Sequence, residues 1–218
     1  MFEPVTEYRD YSRAERLSDA VVHIVGLTAA LMAVPVLITL AAVWRGDAAA
    51  VLSTSIYGAC LIAMLGCSAL YHLAWRHRWR GLFMRLDYSA IYFKIAGTYT
   101  PFILLSASPG WALLTGLWGA AIAGTSLRVL QPDRFRWLAI GLCLAMGWAG
   151  LIEGASMFET LSWPVTILIV IGGLTYTVGI IFHVNHRMPF HTPVWHVFVL
   201  AATAVFFAAV ILHLEQTS

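Results

Sequence analysis

AVLSTSIYGACLIAMLGCSALYHLAW, residues 50–75, runs without a single Asp, Glu, Lys or Arg. A helix needs about 20 apolar residues to cross the hydrocarbon core of a bilayer, and this stretch is longer than that. A backbone facing lipid must satisfy its own hydrogen bonds, so helix is the form it takes. Similar runs lie on either side, at about 18–44, 86–106, 111–130, 135–153, 163–183 and 193–213. Together they predict an all-α integral membrane protein with seven transmembrane helices. A polar tail, residues 1–17, precedes a membrane domain over 18–213. The connections are short, so segments adjacent in sequence are expected to pack side by side.

Composition agrees. Of the 218 residues, 60% are hydrophobic and 11% charged, against about 25% charged in soluble domains. That leaves little room for a separate soluble domain. Cys60, Cys67 and Cys143 fall in apolar runs with no CxxC pair, and read as small buried hydrophobes. The first apolar run is too long for a signal peptide. No nucleic-acid motif or phosphate-binding glycine loop occurs, and no protein partner can be read; membrane lipids are the expected partners.

Charge sets the expected orientation. Arg9, Arg13 and Arg16 lie in the tail, Arg76, Arg78, Arg80 and Arg85 in the second connection, Arg128, Arg134 and Arg136 in the fourth, and Arg187 in the sixth. These are eleven of the thirteen basic residues, all on one side; Arg45 is opposite and Lys94 falls inside a span. The positive-inside rule predicts a cytoplasmic N-terminus and a C-terminus outside.

On this map polar residues far apart in sequence share one depth at the cytoplasmic side. Ser68 and His72 close the second span and Asp87 opens the third, while His191 and His196 flank the start of the seventh. Glu15, Asp19 and His23 form an i, i+4, i+8 stripe at the start of the first. Three imidazoles with an open fourth position describe a catalytic zinc site, beside which a carboxylate can orient water or take its proton. Each residue also has a plainer role: Asp87 as a helix N-terminal acid, Ser68 bonding its own helix backbone, a histidine as an interfacial anchor. Lys94, seven residues beyond Asp87, lies about two turns deeper on nearly the same face. A cation at that depth points to a polar cavity, or to pairing with Glu153 or a carbonyl.

The patterns Ser68-x-x-x-His72, Leu86-Asp87-Tyr88-Ser89 and Trp195-His196-Val-Phe-Val-Leu200 resemble the haemolysin III family, the bacterial branch of the progestin and adiponectin receptor family. Glu15-x-x-x-Asp19-x-x-x-His23-x-x-Gly26 is similar to its first-helix motif, with Asp19 where Asn is usual, and Ala96-Gly-Thr-Tyr-Thr-Pro-Phe102 to its third-helix signature. The resemblance implies seven helices, a cytoplasmic N-terminus, and a zinc held by three histidines with water bridging to the Asp; the orientation is that of a bacterial inner-membrane resident. It also implies kinship to alkaline ceramidases, which are zinc-dependent lipid amidases.

One feature departs from the family. Its last-helix motif pairs histidines four residues apart, but here Thr192 stands four before His196 and His191 five before it. Five residues turn a helix roughly 140° beyond a full turn, so a continuous helix would separate the pair. Pro193 suits the first helical position and Thr192 the cap, which would leave His191 outside the helix and free to swing inward. The expected zinc ligands are therefore His72, His191 and His196, with Asp87 as general base and Ser68 holding water or the oxyanion. Glu15, Asp19, His23 and Lys94 support them. The alternative is a weaker site of His72, His196, Asp87 and water, or no metal. Two functions follow: zinc-dependent hydrolysis of a lipid amide or ester, or a non-enzymatic regulator or sensor of membrane state with a structural metal, haemolytic only indirectly.

Overall fold

The computed structural model describes residues 11–74, 76–106, 110–130, 135–152 and 160–218, and these are helical with no strand among them. The helices are α1 (Arg13–Trp44), α2 (Ala48–Leu73), α3 (Arg80–Leu104), α4 (Trp111–Leu130), α5 (Arg136–Gly147), α6 (Ala149–Ile152), α7 (Trp163–Val184) and α8 (His191–Gln216). Five are long and apolar enough to cross a membrane: α1, α2, α4, α7 and α8. α3 matches them in length, at 25 residues, but carries Arg80, Arg85, Asp87 and Lys94.

α1 starts at Arg13, inside the stretch expected to be tail. Ser12 explains why. Its hydroxyl accepts from Glu15 N at 3.1 Å, and the Glu15 carboxylate accepts from Ser12 N at 2.8 Å. This reciprocal capping satisfies amides that a bare helix start leaves orphaned. α1 and α2 are joined by a tight turn in which Gly46 takes φ +69° and Asp47 caps α2 by accepting from Ala50 N at 2.7 Å.

The fifth expected span is interrupted. α5 stops at Gly147 and α6 resumes at Ala149, and the cause is a side chain inserted into the helical ladder. The Tyr99 hydroxyl donates to Gly147 O at 2.8 Å and accepts from Gly150 N at 3.1 Å. Glu153, the possible partner of Lys94, lies outside the described residues.

The buried face of α1 is polar over its first turns, and its outer face is apolar. Glu15, Asp19, His23, Gly26, Ala30 and Val34 are buried along one stripe, while Val21, Val25, Met32 and Val36 are exposed on the other face. That inversion is what a lipid solvent dictates. α3 is the central helix and packs on α2, α4, α5 and α8; α1 packs on both α2 and α8. Small residues permit the close approaches. A Cβ at Gly97 would lie 2.8 Å from Cys60 Cβ, and one at Gly179 would lie 2.8 Å from Phe198 Cβ. The packing of α1 against both α2 and α8 brings the start of the chain to its last helix.

Candidate metal centre

Among the described residues, Asp19, His23, His72 and His196 form a group able to hold a metal ion, each offering a ligand atom within 4.8 Å of the others. α1 supplies Asp19 and His23 one turn apart on its buried stripe. The last turn of α2 supplies His72, and the second turn of α8 supplies His196. The three rings crowd together, with centroids 4.9 Å apart for His23 and His72, 4.4 Å for His23 and His196, and 4.5 Å for His72 and His196. Asp19, His23 and His196 are buried.

Asp19 organises the group. Its two carboxylate oxygens accept from His196 Nδ1 at 2.6 Å and from His72 Nδ1 at 2.9 Å. Its backbone carbonyl accepts from His23 Nδ1 at 2.8 Å. An ionised carboxylate and a carbonyl can only accept, so all three Nδ1 atoms carry the hydrogen. In the neutral ring every Nε2 is then the lone pair, the form in which imidazole binds a metal. The Ser68 hydroxyl lies 3.1 Å from His23 Nε2 and donates to it. Asp87 Oδ2 is 3.8 Å from His72 Nε2, and Ser68 lies beside that carboxylate as well.

The geometry puts His23, not His191, third in this group. α8 begins at His191 itself, after Phe190 in the left-handed region at φ +57°. Thr192 is therefore inside the helix rather than its cap, and His191 sits on the same continuous helix as His196. Five residues of rotation turn it away. His191 Nε2 instead meets the Tyr11 hydroxyl at 3.2 Å, and its ring packs edge-on against His186 at 5.1 Å; His186 in turn bonds Arg136.

Glu15 acts from a distance. Its carboxylate accepts the backbone N–H of Phe190 at 2.9 Å. That bond ties the start of α1 to the left-handed residue before α8, and so sets where His196 falls. Lys94 is not part of the group and faces a separate cavity deeper in the bundle. The signal for His23 was present in the sequence: it lies one turn beyond Asp19 on the buried face of the first span.

The model of the family described as "Haemolysin-III related" matches residues 12–207. The chain is 33% identical to "Hemolysin-3" of Bacillus cereus over the full length of both proteins. It is 33% identical to the "Hemolysin-3 homolog" of Bacillus subtilis over 91% of this chain and 94% of that one. "Monocyte to macrophage differentiation factor" of Homo sapiens, a member of the progestin and adiponectin receptor family, is 28% identical over 71% of this chain and 67% of its own.

Proposed function

This chain belongs to the haemolysin III-related family, and from that premise and its imidazole group we propose that it is a zinc-dependent hydrolase of a lipid amide or ester. It acts at the cytoplasmic leaflet of the bacterial inner membrane, through a bundle of seven spans with its N-terminus in the cytoplasm. The observation that carries the reading is the state of the three imidazoles. All have Nδ1 turned to Asp19, which makes Nε2 the ligand nitrogen of each neutral ring. Buried histidines satisfying a core need no such uniformity; ligands oriented by a second shell do. Three nitrogens and a nearby carboxylate suit zinc better than the oxygen-seeking magnesium or calcium.

When bound, zinc in such a set supplies Lewis acidity toward a carbonyl and a water. The remaining chemistry falls to the chain. Asp87, beside His72 and outside the ring cluster, would accept a proton from a water held there. Were His23 Nε2 to hold the metal, the Ser68 hydroxyl that now donates to it would be free to donate to water or to an oxyanion. A group at leaflet depth suits an amphiphile whose scissile bond lies just below its headgroup.

The test has two parts. Purified protein should carry about one zinc per chain by elemental analysis, lost in His72→Ala, His196→Ala and His23→Ala. It should also release fatty acid from ceramide-like or ester lipids, and Asp87→Asn should abolish release while keeping zinc. Zinc without turnover on either class would favour the structural-metal regulator. Protein free of zinc, purified without chelator, would end the reading.

A further inference from the structure

Arg128 lies in the last turn of α4, Arg136 opens α5, and His183 lies in the last turn of α7. These three helix ends meet beside Tyr88 of α3. The Arg128 guanidinium carbon stands 4.9 Å from the centroid of the Tyr88 ring. Arg128 and Arg136 both lie within electrostatic reach of the Tyr88 hydroxyl and of the His183 ring. Arg136 also donates to Nε2 of His186, which sits just past the end of α7. A cleft at the ends of the helices, at the surface and not in the interior of the bundle, therefore gathers two guanidiniums and two imidazoles.

The neighbouring basic residues do not play the same part. Arg85 donates to Val129 O at 2.7 Å, so it closes the end of α4 as a cation at a helix C-terminus does. Arg128 and Arg136 are half-buried in the cleft. No side chain caps the start of α5, and the amides of that first turn add to the positive field. Like charges gathered in one cleft repel, and an anion between them reverses the sign. The outer surface around the cleft is apolar: Leu130 is 77% exposed, Leu138 55% and Ile181 60%. Those side chains suit acyl chains, so anion and hydrocarbon are called for side by side.

We propose that this cleft binds the phosphate of an anionic diacyl phospholipid, with Arg128 and Arg136 on the phosphate oxygens and the acyl chains along the exposed faces of α4, α5 and α7. A planar guanidinium pairs two N–H groups with two phosphate oxygens. Basic pockets between helix ends at the membrane surface are where such headgroups lodge. A choline or ethanolamine head would bring its own cation against two guanidiniums, which disfavours a zwitterionic lipid. A free phosphate ion would leave the apolar rim uncovered, so lipid and not solute is the occupant. The site is separate from the metal-binding group, needs no metal, and stands whether or not the hydrolase reading does.

The experiment uses the full chain in detergent micelles, with phosphatidylglycerol and phosphatidylcholine of identical acyl chains as matched probes. Wild type should bind phosphatidylglycerol at least about tenfold more tightly than phosphatidylcholine, the scale of a charge-assisted hydrogen bond. Arg128→Gln combined with Arg136→Gln should bring the two lipids to parity. Arg78→Gln, which removes an exposed charge from the same basic side, should leave the preference intact. Inorganic phosphate in millimolar excess should not compete. On wild type, a phosphatidylglycerol with a diazirine near the head of its acyl chain should cross-link to peptides spanning 127–130 and 135–141. That measurement decides the matter if the double variant fails to fold. Equal binding of the two lipids, a preference that survives the double variant, or cross-links confined elsewhere would overturn the proposal. A preference lost in Arg78→Gln alone would reduce it to general surface charge, and competition by inorganic phosphate would make the cleft a solute site; either result overturns it equally.

Discussion

Asp19 holds two imidazoles with one carboxylate and a third with its carbonyl. Asn in its place has a single side-chain acceptor oxygen, so one of His72 and His196 would lose its partner. Asp19→Asn should therefore weaken zinc binding by about tenfold and Asp19→Ala by about 100-fold, the range seen when outer-shell partners are removed; competition against a chelator of known affinity measures both. The same geometry separates two histidines. His23→Ala should lose the metal, whereas His191→Ala should keep it, because His191 bonds Tyr11 rather than the group. Loss on His191→Ala with retention on His23→Ala would return the third ligand to His191. The sequence made His72, His196 and the Glu15, Asp19, His23 stripe legible, because helical spacing alone puts them on known faces at one depth. It did not make the hydrogen-bond hub legible. Which of two carboxylates, Asp19 or Asp87, would meet the imidazoles depended on how α1 rotates against α2 and α8, and no spacing within one helix encodes that rotation.

At the scale of elements, helix type and order follow from hydrophobic run length, and the ends follow from caps. Asp47 illustrates the second point. It accepts from Ala50 N and from Arg45 Nε at 2.8 Å, and the Ala50 bond first, then Arg45, lowers its pKa from the usual 3.8. A carboxylate lowered on folding adds stability above its unfolded value, and that contribution is lost as pH falls through the folded one. Asp47→Ala should cost about 1 kcal/mol near neutral pH, and the gap to wild type should close on acidification, read by thermal unfolding in micelles at several pH values. The break between α5 and α6 was not legible, since Gly147-Trp148-Ala149-Gly150 continues an apolar run and nothing local forbids helix. Its cause is a hydroxyl from another helix. Tyr99→Phe would leave Gly147 O and Gly150 N without that partner, and should cost about 1–3 kcal/mol or let α5 and α6 join into one helix; unfolding and amide exchange at 147–151 distinguish the two.

For the whole molecule, the packing of α1 against α8 carries the most consequence. The candidate ligands come from the first, second and last helices, so a bound metal closes the bundle between its ends. Binding to the folded state alone stabilises by RT ln(1 + [L]/Kd). A chelator should therefore lower the melting temperature of wild type and leave His72→Ala, already without metal, unchanged. Orientation is the last link. Arg13, Arg16, Arg80, Arg128 and Arg136 lie at the helix ends near the imidazole group, and Arg45 lies at the far end of α1. On the proposed orientation that end faces the cytoplasm, with the group in the inner leaflet and the C-terminus outside. A reporter after Ser218 should read as periplasmic and one within 76–79 as cytoplasmic. The opposite pattern would leave the imidazole cluster intact but move it to the outer leaflet. There the expected substrates would be lipids exposed to the periplasm, and the basic helix ends would lose the anionic cytoplasmic surface that their charge suits.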